Sequence, residues 1–73
     1  MSRHDPERNI LLIDDIGLAA PARRALQGAG IRHLEQMTKW RQADLAALHG
    51  MGPKALKTIR EALAAQGLSL LDD

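Results

Sequence analysis

Seventy-three residues, 45% of them hydrophobic, are enough for one small domain in which burial outweighs conformational entropy by a narrow margin. Trp40 is the sole aromatic, valine is absent and threonine occurs only at Thr38 and Thr58, so the core must come from Leu, Ile, Ala and Met, which argues against a β-sheet protein and for an all-α fold. The lack of cysteine removes disulfides and thiolate metal sites, and the net charge of +1 excludes a uniformly polycationic protein. An intracellular, cytoplasmic protein is the expectation: apolar runs such as Ile10 to Ile13 are far too short to cross a membrane, and no signal-peptide core follows the charged N-terminus.

Residues 1–9 lack apolar periodicity and are expected to form a disordered tail, leaving residues 10–71 as the folded domain. Ile10 to Ile13 is too short for a helix and has no evident strand partner, which predicts an extended arm packed on the core. Asp14 and Asp15 lead into a turn at Ile16, Gly17 and Leu18. Pro21 suits a first helical turn, where its missing N–H is not needed, and Ala22 to Gln27 continue as a helix ending near Gly28 or Gly30. In the segment Ile31 to Met37, Leu34 and Met37 share a face with Ile31 or lie one turn away, and Thr38, Lys39 and Trp40 break the pattern.

A third short helix is predicted from Arg41 to Leu48 with Leu45 and Leu48 as its apolar pair, and Gly50 is placed as a left-handed cap. The last helix opens at Pro53, sets Leu56, Ile59 and Leu63 on one face and Lys57, Arg60 and Glu61 on the other, and stops before Gly67. Leu68, Leu70 and Leu71 are expected to fold back on the core. The sum is a compact bundle of four or five short helices with an extended N-terminal arm. Ala25 to Ile31 and Ala62 to Leu68 share the pattern Ala-Leu-x-x-x-Gly followed by Ile or Leu, which has two readings: an internal duplication, or the same helix-ending chemistry used twice.

Charge is unevenly spread. Residues 16–67 hold eight Lys and Arg against three Asp and Glu, and the flanks hold two against six. This fits either a polyanion partner or a solvated basic face.

One segment carries chemistry. Leu48-His49-Gly50-Met51-Gly52-Pro53-Lys54-Ala55 joins two helices through a Gly-hydrophobic-Gly turn, with proline opening the second helix and lysine behind it. Glycines admit positive φ and leave no side chain to block close approach. The following helix start adds unpaired N–H donors and the positive end of the helix dipole, so backbone amides near Gly52 can hold a phosphate oxygen, with Lys54 as a charged second contact and His49 as a lesser candidate. Met51 is expected to point inward and fix Gly50 and Gly52 as a rigid platform. Gly50 as cap and Pro53 as first-turn residue would also suit any tight helix–helix connection.

This segment resembles a helix-hairpin-helix motif. Together with Asp14-Asp15-Ile16-Gly17-Leu18, Ala29-Gly30-Ile31 and Gly67-Leu68-Ser69-Leu70, in that order and spacing, it is similar to the C-terminal domain of the bacterial RNA polymerase α subunit over about residues 10–71. The resemblance implies a SAM-like fold with one true helix-hairpin-helix and one degenerate copy, and contact with the DNA minor groove and with transcription factors. The polymerase domain ends a long subunit, so a chain of 73 residues is expected to be a free-standing relative of it. Gly52 and Lys54 match positions that approach the DNA backbone in that family. Pro21 stands where the family has its principal minor-groove arginine, Arg24 where it has an asparagine, and Ala55 where it has a serine; Arg23 or Arg24 is the candidate substitute for the lost arginine.

The expected function is non-enzymatic: weak, salt-sensitive and non-sequence-specific or weakly A/T-biased binding of duplex DNA, associated with transcription. Gly50, Met51, Gly52 and Lys54 form the clamp, and Arg23, Arg24 and Lys57 supply supporting charge. The alternative is a protein-interaction domain that docks to RNA polymerase or a transcription factor without touching DNA, to which the loss of arginine at Pro21 points. No cofactor motif, paired carboxylates or nucleophile setting occurs, and His4, His33 and His49 lack metal-ligand spacing. Trp40 is read as a core or rim residue, with a partner anchor as the other possibility.

Overall fold

In the computed structural model, which describes residues 11–72, every regular element is helical: a 3-10 turn at Ile13–Asp15, α1 at Ala20–Gly28, a second 3-10 helix at Leu34–Lys39, α2 at Gln42–Ala46 and α3 at Pro53–Ala65. The expected tail at residues 1–9 lies outside the described residues. Each element contributes to one core. Ile13, Leu26, Ile31, Leu34, Met37, Leu45, Ile59, Leu63 and Leu70 are at most 2% exposed, and no polar or charged described residue is buried with them. Burial of each of these side groups contributes about 2 kcal/mol over its exposed state, which offsets the weakness of helices too short to persist alone.

α1 and α3 end in the same way. Gly30 (φ +84°) donates to the Gln27 carbonyl and Ile31 to that of Leu26; Gly67 (φ +74°) donates to Ala64 and Leu68 to Leu63. Both are Schellman caps with buried leucine at the third position from the helix end and an apolar residue two places past the last helical turn. The Ala-Leu-x-x-x-Gly repeat in the sequence coincides with this cap. The starts repeat too: Gly17 (φ +78°), Leu18, Ala19 and Ala20 at the entry to α1 match Gly50 (φ +93°), Met51, Gly52 and Pro53 at the entry to α3.

Four local expectations change. The arm does find a backbone partner: an antiparallel bridge pairs Leu12 with His33, and Ile13 donates to the Arg32 carbonyl and Leu34 to that of Leu11. Thr38 and Lys39 continue the second 3-10 helix instead of breaking it, because the Thr38 hydroxyl donates to the Glu35 carbonyl at 2.8 Å and Trp40 N–H closes on Met37. α2 is shorter than Arg41 to Leu48, so Gly50 lies beyond its end and serves the hairpin turn instead of capping the helix. Leu71 does not join the core; it is 57% exposed while its N–H donates to the Trp40 carbonyl.

Trp40 packs half-buried against the core edge, as the rim reading expected. Gln36 holds the turn before the second 3-10 helix, its Oε1 accepting from Arg32 and His33 N–H at 2.7 and 2.8 Å and its Nε2 donating to the Gly30 carbonyl.

Candidate nucleic-acid interface

The hairpin occupies residues 47–52, between α2 and α3. Leu48 N–H donates to the Leu45 carbonyl and Met51 N–H to the Leu48 carbonyl at 3.1 Å, closing a β-turn whose third residue is Gly50 at φ +93°. A positive φ there suits glycine. Space imposes a second requirement: a Cβ on Gly50 would lie 2.8 Å from the Pro21 carbonyl oxygen. The hairpin is thus seated directly on the first turn of α1. Leu48, Met51 and Leu56 are half-buried against the core, so Met51 does pin the turn from beneath.

Gly52 differs. Its backbone is extended (φ −116°, ψ 177°), a conformation open to any residue, and a Cβ there would meet nothing within 4 Å. Folding does not require glycine at this position. It is the N-cap of α3 yet offers no side-chain acceptor, and Pro53 has no N–H to be satisfied. Leu56 N–H donates to the Gly52 carbonyl at 3.0 Å, but among the described residues no acceptor takes the N–H groups of Gly50, Gly52, Lys54 or Ala55. Unused main-chain donors and the positive end of a 13-residue helix therefore meet at one corner, where Gly50 and Lys54 are exposed and Gly52 and Ala55 half-buried. No carboxylate occurs in residues 45–60 to compete for it.

The seven residues singled out from sequence do not form one cluster of equal members. Gly50, Met51 and Gly52 make the turn. Lys54 and Lys57 are both exposed and lie three residues apart on α3, hence on adjoining positions of one face. Contact between Gly50 and Pro21 brings the first turn of α1 to the hairpin, and Arg24, one turn beyond Pro21, is exposed. Arg23 points elsewhere: its Nε lies 3.6 Å from Asp14 Oδ1, in a pair whose side chains are 39% and 57% exposed. Such a pair contributes roughly 0–1 kcal/mol, but it offsets the charge that Arg23 would bring to a phosphate. His49 is exposed in the turn.

The turn before α1 differs from the hairpin. It has the positive-φ glycine, but Ala19 stands in place of Gly52, and Asp14 and Asp15 precede it in sequence, Asp14 paired with Arg23. Sequence reading missed the seat of Gly50 on Pro21, which joins segments far apart in the sequence and leaves no local pattern. It also passed over the amide of Ala55, because that residue was weighed by its side chain.

No described helix is long and apolar enough to cross a membrane. The model of one protein family, described as the C-terminal domain of the alpha chain of bacterial RNA polymerase, matches residues 2–65. The match takes in both turns and all three α-helices, and on that basis the protein belongs to this family of bacterial RNA polymerase alpha C-terminal domains.

Proposed function

We propose that this protein is a non-enzymatic, transcription-associated module that holds the phosphate backbone of duplex DNA at the corner built by Gly50 to Ala55. The observation that carries the reading is the unpartnered set of main-chain donors at Gly50, Gly52, Lys54 and Ala55, beside a glycine that the fold does not need. Lys54 adds a charge-assisted contact, Lys57 extends the basic face along α3, and Arg24, not Arg23, supplies the cation from α1. Contacts of this kind position a protein on DNA and carry little sequence information.

Gly52→Leu tests the reading. The substitution enters open space, so the change in urea-unfolding stability stays within about 1 kcal/mol, while affinity for a short duplex at low salt, read by fluorescence anisotropy, falls by about tenfold or more. Unchanged affinity removes the corner from the interface.

A second reading has one observation in its favour: Pro21, where the family resemblance leads one to expect an arginine, presents no charge and is itself packed against Gly50. On that reading the domain docks to polymerase or a transcription factor without DNA. Recovery of such a partner after nuclease treatment, from a protein that binds no duplex, decides in its favour.

A further inference from the structure

We propose that Asp72 is a positioning residue for the hairpin, acting through α2; this rests on the DNA-binding reading given above. α2 has five residues, and its N-cap residue Arg41 supplies no side-chain hydrogen bond to its first turn. The acceptor comes from 30 residues away: Asp72 Oδ1 takes the N–H of Gln42 at 3.0 Å. Beside it, Leu71 N–H donates to the Trp40 carbonyl at 2.9 Å, and Leu70, 1% exposed, anchors the segment in the core. The stretch from Leu70 to Asp72 is therefore a strap that grips both residues flanking Arg41.

From there main-chain hydrogen bonds run without a break to the hairpin. Leu45 donates to the Arg41 carbonyl, Leu48 to that of Leu45, and Met51 to that of Leu48. One end of this ladder is tied to the strap and the other closes the turn that holds Gly50. A five-residue helix is not stable by its own propensity, so an acceptor for its first N–H groups sets how often the ladder is intact. The strap unites two observations: Leu71 is exposed yet backbone-bonded, and the carboxylate of Asp72 turns toward a distant helix start.

Electrostatics and positioning predict opposite signs. If Asp72 only repelled DNA, removing its charge would tighten binding. If it positions the hairpin, Asp72→Ala weakens duplex binding by about threefold, whereas Asp72→Asn, which retains an Oδ1 acceptor and loses the charge, binds as well as or better than the parent. Hydrogen exchange without DNA gives an independent readout: in Asp72→Ala the amides of Leu45, Leu48 and Met51 exchange about fivefold faster, and those of Ile59 and Leu63 in α3 keep their rates. Equal tightening by both variants, a uniform rise in exchange across α3, or no change at the three amides each overturns the proposal. Should the parent protein bind no duplex, the functional reading fails on its own, and the exchange pattern alone decides whether Asp72 positions the turn.

Discussion

Two glycines two residues apart serve different ends. Gly50 is demanded by the fold, through both its φ of +93° and the 2.8 Å approach of a Cβ to a backbone oxygen of Pro21 that cannot move aside as a flexible side chain would. Gly50→Ala is expected to lower stability by at least about 2 kcal/mol, combining left-handed strain with that clash, read as a shift of the urea midpoint at unchanged slope. Gly52 carries no such demand, so its replacement is expected to spare the fold and, on the proposed function, to weaken binding. The pattern Gly-x-Gly was legible in the sequence, but not this division of labour, because it depends on where Pro21 lies. The choice between Arg23 and Arg24 was equally closed to sequence reasoning, since the Asp14 partner reaches Arg23 only after the turn at Gly17 has folded back.

At the scale of elements, the apolar spacing of α3 was readable in full: Ile59 and Leu63 are buried, Leu56 is half-buried, and Lys57, Arg60 and Glu61 face out. The shared ending of α1 and α3 was readable as a pattern, and the structure gives its physical content as two Schellman caps. At both caps a Cβ on the glycine would meet nothing within 4 Å, so Gly30→Ala and Gly67→Ala each cost only the strain of the left-handed backbone, about 1 kcal/mol. Thermal unfolding of the pair beside Gly50→Ala checks this; a loss at Gly67 equal to that at Gly50 contradicts the seating of the hairpin on α1. The shorter elements were less legible. The 3-10 helix at Leu34–Lys39 and the five residues of α2 are fixed by side-chain and long-range bonds, from Thr38, Gln36 and Asp72, that no periodicity announces.

For the whole molecule, a core of Leu, Ile, Ala and Met and an all-helical fold followed from composition, because no other residues are there to fill an interior. The Leu12–His33 bridge and the strap at Leu70 to Asp72 did not, as each joins distant segments. Taken together, three exposed cations, Arg24, Lys54 and Lys57, serve the proposed interface. The logarithm of the duplex association constant is then expected to fall with the logarithm of salt at a slope of about −3, given roughly 0.9 per neutralised phosphate. Lys54→Ala flattens that slope by about one and weakens binding alike across sequences; a slope near zero in the parent rejects the backbone clamp.

The most direct test of the clamp is a residue-resolved amide titration with a short duplex at low salt. The N–H resonances of Gly50, Gly52, Lys54 and Ala55 are expected to shift first and farthest, with those of the degenerate turn at Gly17 to Ala20 changing little. Duplex binding that leaves these four amides in place, or that moves the Gly17 turn instead, contradicts the account.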